Sequence, residues 1–316
     1  MLPDPVQVRI PRDYTTLPVK DIKVSHYPEN ASEATPIIVI TLNRPKQGNA
    51  FTFQMVQDFE LVYPMLDLDE RVKVVVITGA GKMFCAGADL DIGFPSDGAN
   101  ERLTDKRDPG GRLNLCIYRC RKPTIMAMNG PAVGLGMTMG LSAAIRIAHA
   151  SSKYGFVFAR RGITMESNSS FFLPRLIGYS NAVYLLTTGD VYRGDSKYFG
   201  GLFQEVIERQ EDVLKRGLQL ATNIADKTSI MASFLNRELM WRGKSTAEET
   251  HLLDSAVLYH MFANRDCQEG VKSFLEKREP RFAATLERDG PPFYPWYSEV
   301  DTGSRPRIDP ASKPKL

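Results

Sequence analysis

Glu166 is the one acid in the stretch GITMESNSSFFLP, residues 162–174, where small polar residues follow it and then two phenylalanines. A carboxylate in that setting has two uses. It can sit at a helix N-terminus, where the backbone amides favour negative charge. It can also move a proton at a reacting carbon, a service worth roughly 10²–10⁴ in rate. Two glycine clusters supply a second ingredient: MFCAGADL, residues 83–90, and NGPAVGLGMT, residues 129–138, each placed after an apolar run. Glycine lets backbone N–H groups come close to a ligand. One amide from each loop would make a two-donor pocket for a developing oxyanion. Tight strand-to-helix packing is the purely structural alternative. Neither cluster is a phosphate loop, because Gly-Lys-Ser/Thr is missing and no Gly-x-Gly-x-x-Gly precedes an acid at dinucleotide spacing. His26, His149, His251 and His260 are scattered, and Cys85, Cys116, Cys120 and Cys267 follow no zinc spacing. The sequence therefore supports no metal centre, and the cysteines read as reduced core thiols.

The elements that must hold these groups alternate in type. IIVITL, residues 37–42, reads as a buried strand, and Thr52 caps an amphipathic helix over 53–68. VKVVVITGAG, residues 72–81, is a second strand, and GGRLNLCIYRCRKP, residues 110–123, is helical until its proline. TIMAMNG (124–130) and IRIAHA (145–150) are further strands, with a helix predicted between them over 134–144. This alternation predicts an α/β domain with a largely parallel sheet. From about residue 205 the patterns become helical. The division expected is a loose N-terminal arm with a short strand (1–35), an α/β core (36–207), a helical appendage (208–282) and an extended tail (283–316). Trp241 is expected to pack within the appendage, and Met126, Met128, Met137 and Met139 to fill the core.

A net charge of +3 over 316 residues is too mild to argue for nucleic acid. The chain opens without a secretory signal, and no apolar run reaches the length of a membrane span. It closes on Pro314-Lys315-Leu316, a variant of the Ser-Lys-Leu address, after a polar, proline-rich stretch. A peroxisomal import receptor and a peroxisomal location are the expectation.

Four segments carry a resemblance. ITLNRPKQGNAF, VVVITGAGKMFCAGADL, RKPTIMAMNGPAVGLGMTM and GLFQEVI, spread in order from about residue 36 to 207, resemble successive segments of the crotonase superfamily, the enoyl-CoA hydratases and isomerases. The resemblance implies a ββα superhelix with a C-terminal helical trimerisation region, hence a homotrimer or homohexamer. It implies an acyl-CoA substrate that brings its own coenzyme A, with no further cofactor and no metal. Motif by motif, it implies that the N–H groups of Ala88 and Leu135 form the oxyanion hole, although the family usually has glycine where Leu135 stands. Ala86, Gly87, Asp89, Gly134 and Gly136 would shape the substrate loops around them. The two glutamates of the family's hydratases match Thr138 and Phe158, which are left with substrate-lining roles. The Δ3,Δ2-enoyl-CoA isomerases carry one acid in a Gly-x-x-x-Glu-Gly turn before a Leu-Pro. Gly162, Glu166 and Leu173-Pro174 match it, with Ser167 in place of the second glycine. The implied activity is double-bond isomerisation through a thioester enolate, with Glu166 as acid and base. The alternatives are an enoyl-CoA hydratase or dehydratase, in fatty-acid oxidation or in building the acyl side chain of a secondary metabolite, and a non-catalytic CoA-binding scaffold.

Overall fold

Strands with no polar face must be covered on both sides, and that requirement organises the molecule. The structure is a computed structural model and describes residues 8–92 and 106–303. Its strands are β1 (Ile22–Tyr27), β2 (Ile37–Leu42), β3 (Val74–Gly79), β4 (Thr124–Met128), β5 (Ala132–Val133), β6 (Ile145–His149), β7 (Lys153–Gly155), β8 (Val191–Arg193) and β9 (Glu205–Ile207). Six of them form a sheet in the order β1-β2-β3-β4-β6-β9, parallel except for β1 at one edge. β5, β7 and β8 form a small second sheet. The expected α/β architecture is present.

Alternation along each strand sorts the core into two layers. Ile38, Ile40, Val75, Ile77, Met126 and Met128 face one side, together with α1 (Phe53–Leu68), α2 (Pro109–Arg119) and α3 (Leu135–Thr138). Met137 and Met139 are buried in the same layer, as the sequence implied. Ile37, Val39, Val74, Val76, Ile125, Ala127 and Ile147 face the other side. There they meet Val213, Ala221 and Ala225 of one long helix. With α4 (Ser169–Ile177) and α5 (Tyr179–Thr188) intervening in the chain, that helix is α6 (Gln210–Lys227). Gly217 lets it lie close, since a Cβ there would stand 3.2 Å from Ala127 Cβ.

Three expectations change. The N-terminal segment is not loose from residue 8 onward: Tyr14 is fully buried, its hydroxyl donates to Asp69 at 3.1 Å, and β1 is the expected short strand. α6 is no appendage but the cover of the sheet's second face, a role that amphipathic spacing alone does not distinguish from a free-standing bundle. The helix predicted over 134–144 stops at Thr138 and gives way to turns, where Gly140 lies with its Cβ position 3.0 Å from Met126. Beyond α6 come α7 (Ile230–Arg242), α8 (Ala247–Phe262), α9 (Arg265–Leu275) and a short α10 (Leu286–Asp289). The tail then runs back along α7, where Trp296 donates to the Arg242 carbonyl at 3.0 Å and Tyr297 donates to the buried Glu238 at 2.9 Å. Pro314, Lys315 and Leu316 lie outside the described residues. Among the described residues no helix is long and apolar enough to cross a membrane.

Candidate active site

β3 and β4 run parallel, so the two glycine loops leave the same end of the sheet. The loops then lock onto each other. Val133 donates to the Cys85 carbonyl at 3.2 Å, a Cβ on Gly87 would stand 2.9 Å from the Val133 carbonyl, and a Cβ on Gly136 would overlap the Cys85 carbonyl. Gly87, at φ +88°, also needs the left-handed region that glycine enters freely. Phe51 donates to Gly87 O at 2.8 Å and accepts from Asp89 N at 3.1 Å. These bonds flank Ala88 and turn its own N–H to the opposite side. Gly134 precedes α3, donates to Gly155 O at 2.9 Å and leaves Leu135 as the first helical residue. Among the described residues neither the Ala88 nor the Leu135 amide has an acceptor. Ala86 N donates to Gly48 O at 2.9 Å. Asp89 was expected to shape its loop. It accepts from Asp91 N at 3.2 Å, and it also pairs with Arg44 at 2.8 Å, whose guanidinium holds the Ala50 carbonyl.

Glu166 comes to this floor from the turn that precedes α4. Its two carboxylate oxygens each meet one hydroxyl, Thr138 at Oε1 and Ser167 at Oε2. Burial pushes the carboxyl up to about 7, the two hydroxyls pull it down, and the negative charge of Asp108 adds to the rise. A group poised there can both accept and return a proton near neutrality. Thr138 is therefore more than a missing acid. From α3 its hydroxyl donates to the Glu166 carboxylate. Phe158 is buried, with its ring 3.9 Å from the Cβ position of Gly134. It walls the second loop.

Several participants escaped the sequence reading. Asp108 caps α2 through Gly110 N (3.0 Å) and Gly111 N (2.8 Å) and also accepts from Ser167 N at 2.7 Å. Asn114, fully buried, donates to the Ser167 carbonyl at 2.6 Å and is itself held by Ser142. A Cβ on Gly110 would overlap Glu166 Oε2 and Ser167 Oγ. Asp108-Pro109 is an N-cap followed by proline at the first helical position, a start signal that was legible. The long-range partner of that cap was not.

A family model described as enoyl-CoA hydratase/isomerase matches residues 32–285. The chain belongs to the enoyl-CoA hydratase/isomerase family. The enoyl-CoA hydratase ACTT3 of Alternaria alternata is 46% identical over 254 residues, covering 80% of this chain and 85% of the relative. The 1,2-epoxyphenylacetyl-CoA isomerase of Escherichia coli is 28% identical, covering 78% of this chain and 94% of its own. Among solved structures, a putative enoyl-CoA hydratase from Streptomyces coelicolor superposes with a TM-score of 0.76 at 26% identity, covering 89% of this chain and 99% of that one. The crotonase-type fold and the C-terminal helices are those of the family, and the protein is an enzyme of the crotonase superfamily.

In this member of the family the first turn of α4, which follows Glu166 in the chain, is aromatic. Phe171 and Phe172 meet edge to face at 5.0 Å, and Trp241 of α7 packs on both rings, at 5.7 and 5.1 Å. Trp241 thus leaves the place expected for it within the C-terminal helices and joins α7 to the element that carries the acid. Arg160, six residues before Glu166, turns elsewhere. It pairs with Asp190 and donates to the Thr188 carbonyl at 3.0 Å.

Proposed function

We propose that this enzyme shifts a carbon–carbon double bond of an enoyl-CoA with Glu166 as its single acid/base. The carboxylate takes a proton from C2 of a 3-enoyl thioester, and the electron pair moves onto the thioester oxygen as a dienolate. The Ala88 and Leu135 amides donate to that oxygen, each such donor being worth roughly 10²–10³ in rate. Glu166 returns the proton to C4, the double bond comes to rest between C2 and C3, and the carboxylate is regenerated without water. The observation that carries this reading is one carboxyl, raised to about 7 and held between two hydroxyls, while Thr138 and Phe158 occupy the two hydratase positions. The base must be ionised, so kcat/KM rises with pH and levels off above about 7.

A second reading, hydration, is favoured by the printed name of the 46% identical relative, an enoyl-CoA hydratase. Glu166 would then activate water for attack at C3. One experiment separates the two: a panel of 2-enoyl- and 3-enoyl-CoAs, with products resolved by mass and double-bond position, for wild type and Glu166→Gln. Isomerisation without mass gain, lowered roughly 10²–10⁴-fold in the variant, is the expected result. A hydrated product as the main one hands the assignment to the second reading, and equal activity of both proteins removes Glu166 from it. Binding of CoA thioesters with no turnover by wild type points to the scaffold. We also propose that the enzyme works in the peroxisome, addressed by Pro314-Lys315-Leu316. A fluorescent fusion that stays peroxisomal after loss of the tripeptide counts against that address.

A further inference from the structure

Ser167 and Asn168 stand side by side at φ +55° and +56°. A left-handed backbone costs a non-glycine residue roughly 1–2 kcal/mol, less where a short polar side chain helps. Something must hold this turn, and one helix does so from both sides. Asp108, at the N-terminus of α2, takes the Ser167 N–H at 2.7 Å. Asn114, further along the same helix, gives a hydrogen bond to the Ser167 carbonyl at 2.6 Å. Capping accounts for only part of what Asp108 does. It already receives two amides of its own helix, and the Ser167 amide, 59 residues away, is a third. Asn114 has no polar task within its helix; the Ser167 carbonyl can only accept, which turns the amide nitrogen toward it and leaves the side-chain oxygen to accept from Ser142. Between the two, Gly110 presents no side chain, and the Glu166 carboxylate fills that space.

We propose that Asp108 and Asn114 are positioning residues, which hold the peptide groups on the two sides of Ser167 and so aim both the Glu166 carboxyl and the Ser167 hydroxyl that meets it. The proposal rests on Glu166 being the acid/base. If the grip loosens, Ser167 can leave the left-handed region, and the carboxylate loses the direction that the peptide imposes. Misplacement by about 1 Å can cost on the order of 10² in rate. The acyl-CoA contacts elsewhere are untouched, so the loss falls on kcat rather than on KM. The two residues also differ in a testable way. Asp108 brings a charge that faces Glu166 from α2, whereas Asn114 brings none. Among the described residues the other titratable group facing Glu166 is Cys85 of the first glycine loop, a buried thiol pushed up to about 12 and therefore neutral at working pH.

The test compares wild type, Glu166→Gln, Asp108→Asn and Asn114→Ala across pH with a 3-enoyl-CoA, with thermal melts on each protein. Asp108→Asn is expected to lower kcat by about 10–100-fold, to leave KM within about twofold, and to move the acidic limb of kcat/KM to lower pH. Removing a nearby negative charge eases ionisation of Glu166, which gives the sign of that movement. Asn114→Ala is expected to lower kcat similarly with the limb in place. An inactive Glu166→Gln alongside wild-type kcat and limb in the other two overturns the positioning role and leaves the acid/base assignment standing. An active Glu166→Gln overturns the assignment itself. If Asp108→Asn does not fold, Asn114→Ala decides alone, since a merely structural asparagine would change the melting point and not the kcat.

Discussion

Glu166 is kept near neutrality by burial, and this has a cost that can be measured without substrate. Its carboxyl lies at about 7 in the folded protein against an ordinary 4.5. Between those two pH values the folded state binds more protons than the unfolded one. Stability therefore falls as pH rises from 4.5 through 7, and the loss is complete above it. Glu166→Gln removes the ionisation. We expect the variant to be more stable than wild type at about pH 8, by on the order of 1 kcal/mol, with the advantage shrinking at about pH 5. Urea titrations at both values check it, and an advantage that does not depend on pH contradicts the raised carboxyl. Gly110 gives a complementary prediction. A methyl group there overlaps Glu166 Oε2 and Ser167 Oγ, so Gly110→Ala must push the carboxylate off its hydroxyls. Activity is expected to drop roughly 10²-fold and stability by about 1–3 kcal/mol, while a fully active Gly110→Ala would mean that the carboxylate works from another position.

At the scale of elements, the strands were the legible part, because IIVITL and VVVIT have no polar face and must lie in a sheet covered on both sides. The glycine loops were legible too, since MFCAGADL and NGPAVGLGMT each follow such a strand and the parallel sheet brings them to one end. What could not be read was anything set by a partner distant in the chain. The pattern of α6 shows an apolar stripe but not that the sheet lies beneath it, and nothing local to Asp108 or Trp241 names Ser167 or Phe171 as neighbours. Trp241 shows what such a contact does. It ties α7 to the first turn of α4, directly after the acid-bearing turn. Trp241→Ala removes a half-buried indole from two rings, and we expect a loss of roughly 2 kcal/mol in stability, below the range for a fully buried tryptophan. A fall in kcat should accompany it, because Phe171 and Phe172 follow Glu166 by a single turn. Trp241→Phe should restore most of both. A variant that loses stability and keeps full kcat would confine the tryptophan to holding the helices together.

At the scale of the whole molecule, the described residues leave a large apolar surface uncovered on α8 and α9. On α8, Leu252, Tyr259 and Phe262 are 71%, 80% and 60% exposed, and on α9, Phe274 and Leu275 are 83% and 73% exposed. The two helices share this face, for Phe262, Val271 and Leu275 line one groove between them. A monomer rarely exposes contiguous apolar surface of this kind, and the helices concerned are those that the family resemblance gives to trimerisation. We therefore expect a homotrimer or a homohexamer in solution, with α8 and α9 at the contact. Light scattering on the purified protein should return a mass that is a multiple of three chains. Placing charge at the centre of the face, with Tyr259→Glu and Phe274→Glu together, should lower that mass toward the monomer, because an apolar contact has no partner for either charge. The folded core should survive the change, since α6 and the sheet keep their own buried layer without α8 and α9. An unchanged mass in the double variant would move the interface to another face. A monomeric wild type would leave the apolar face to a different occupant.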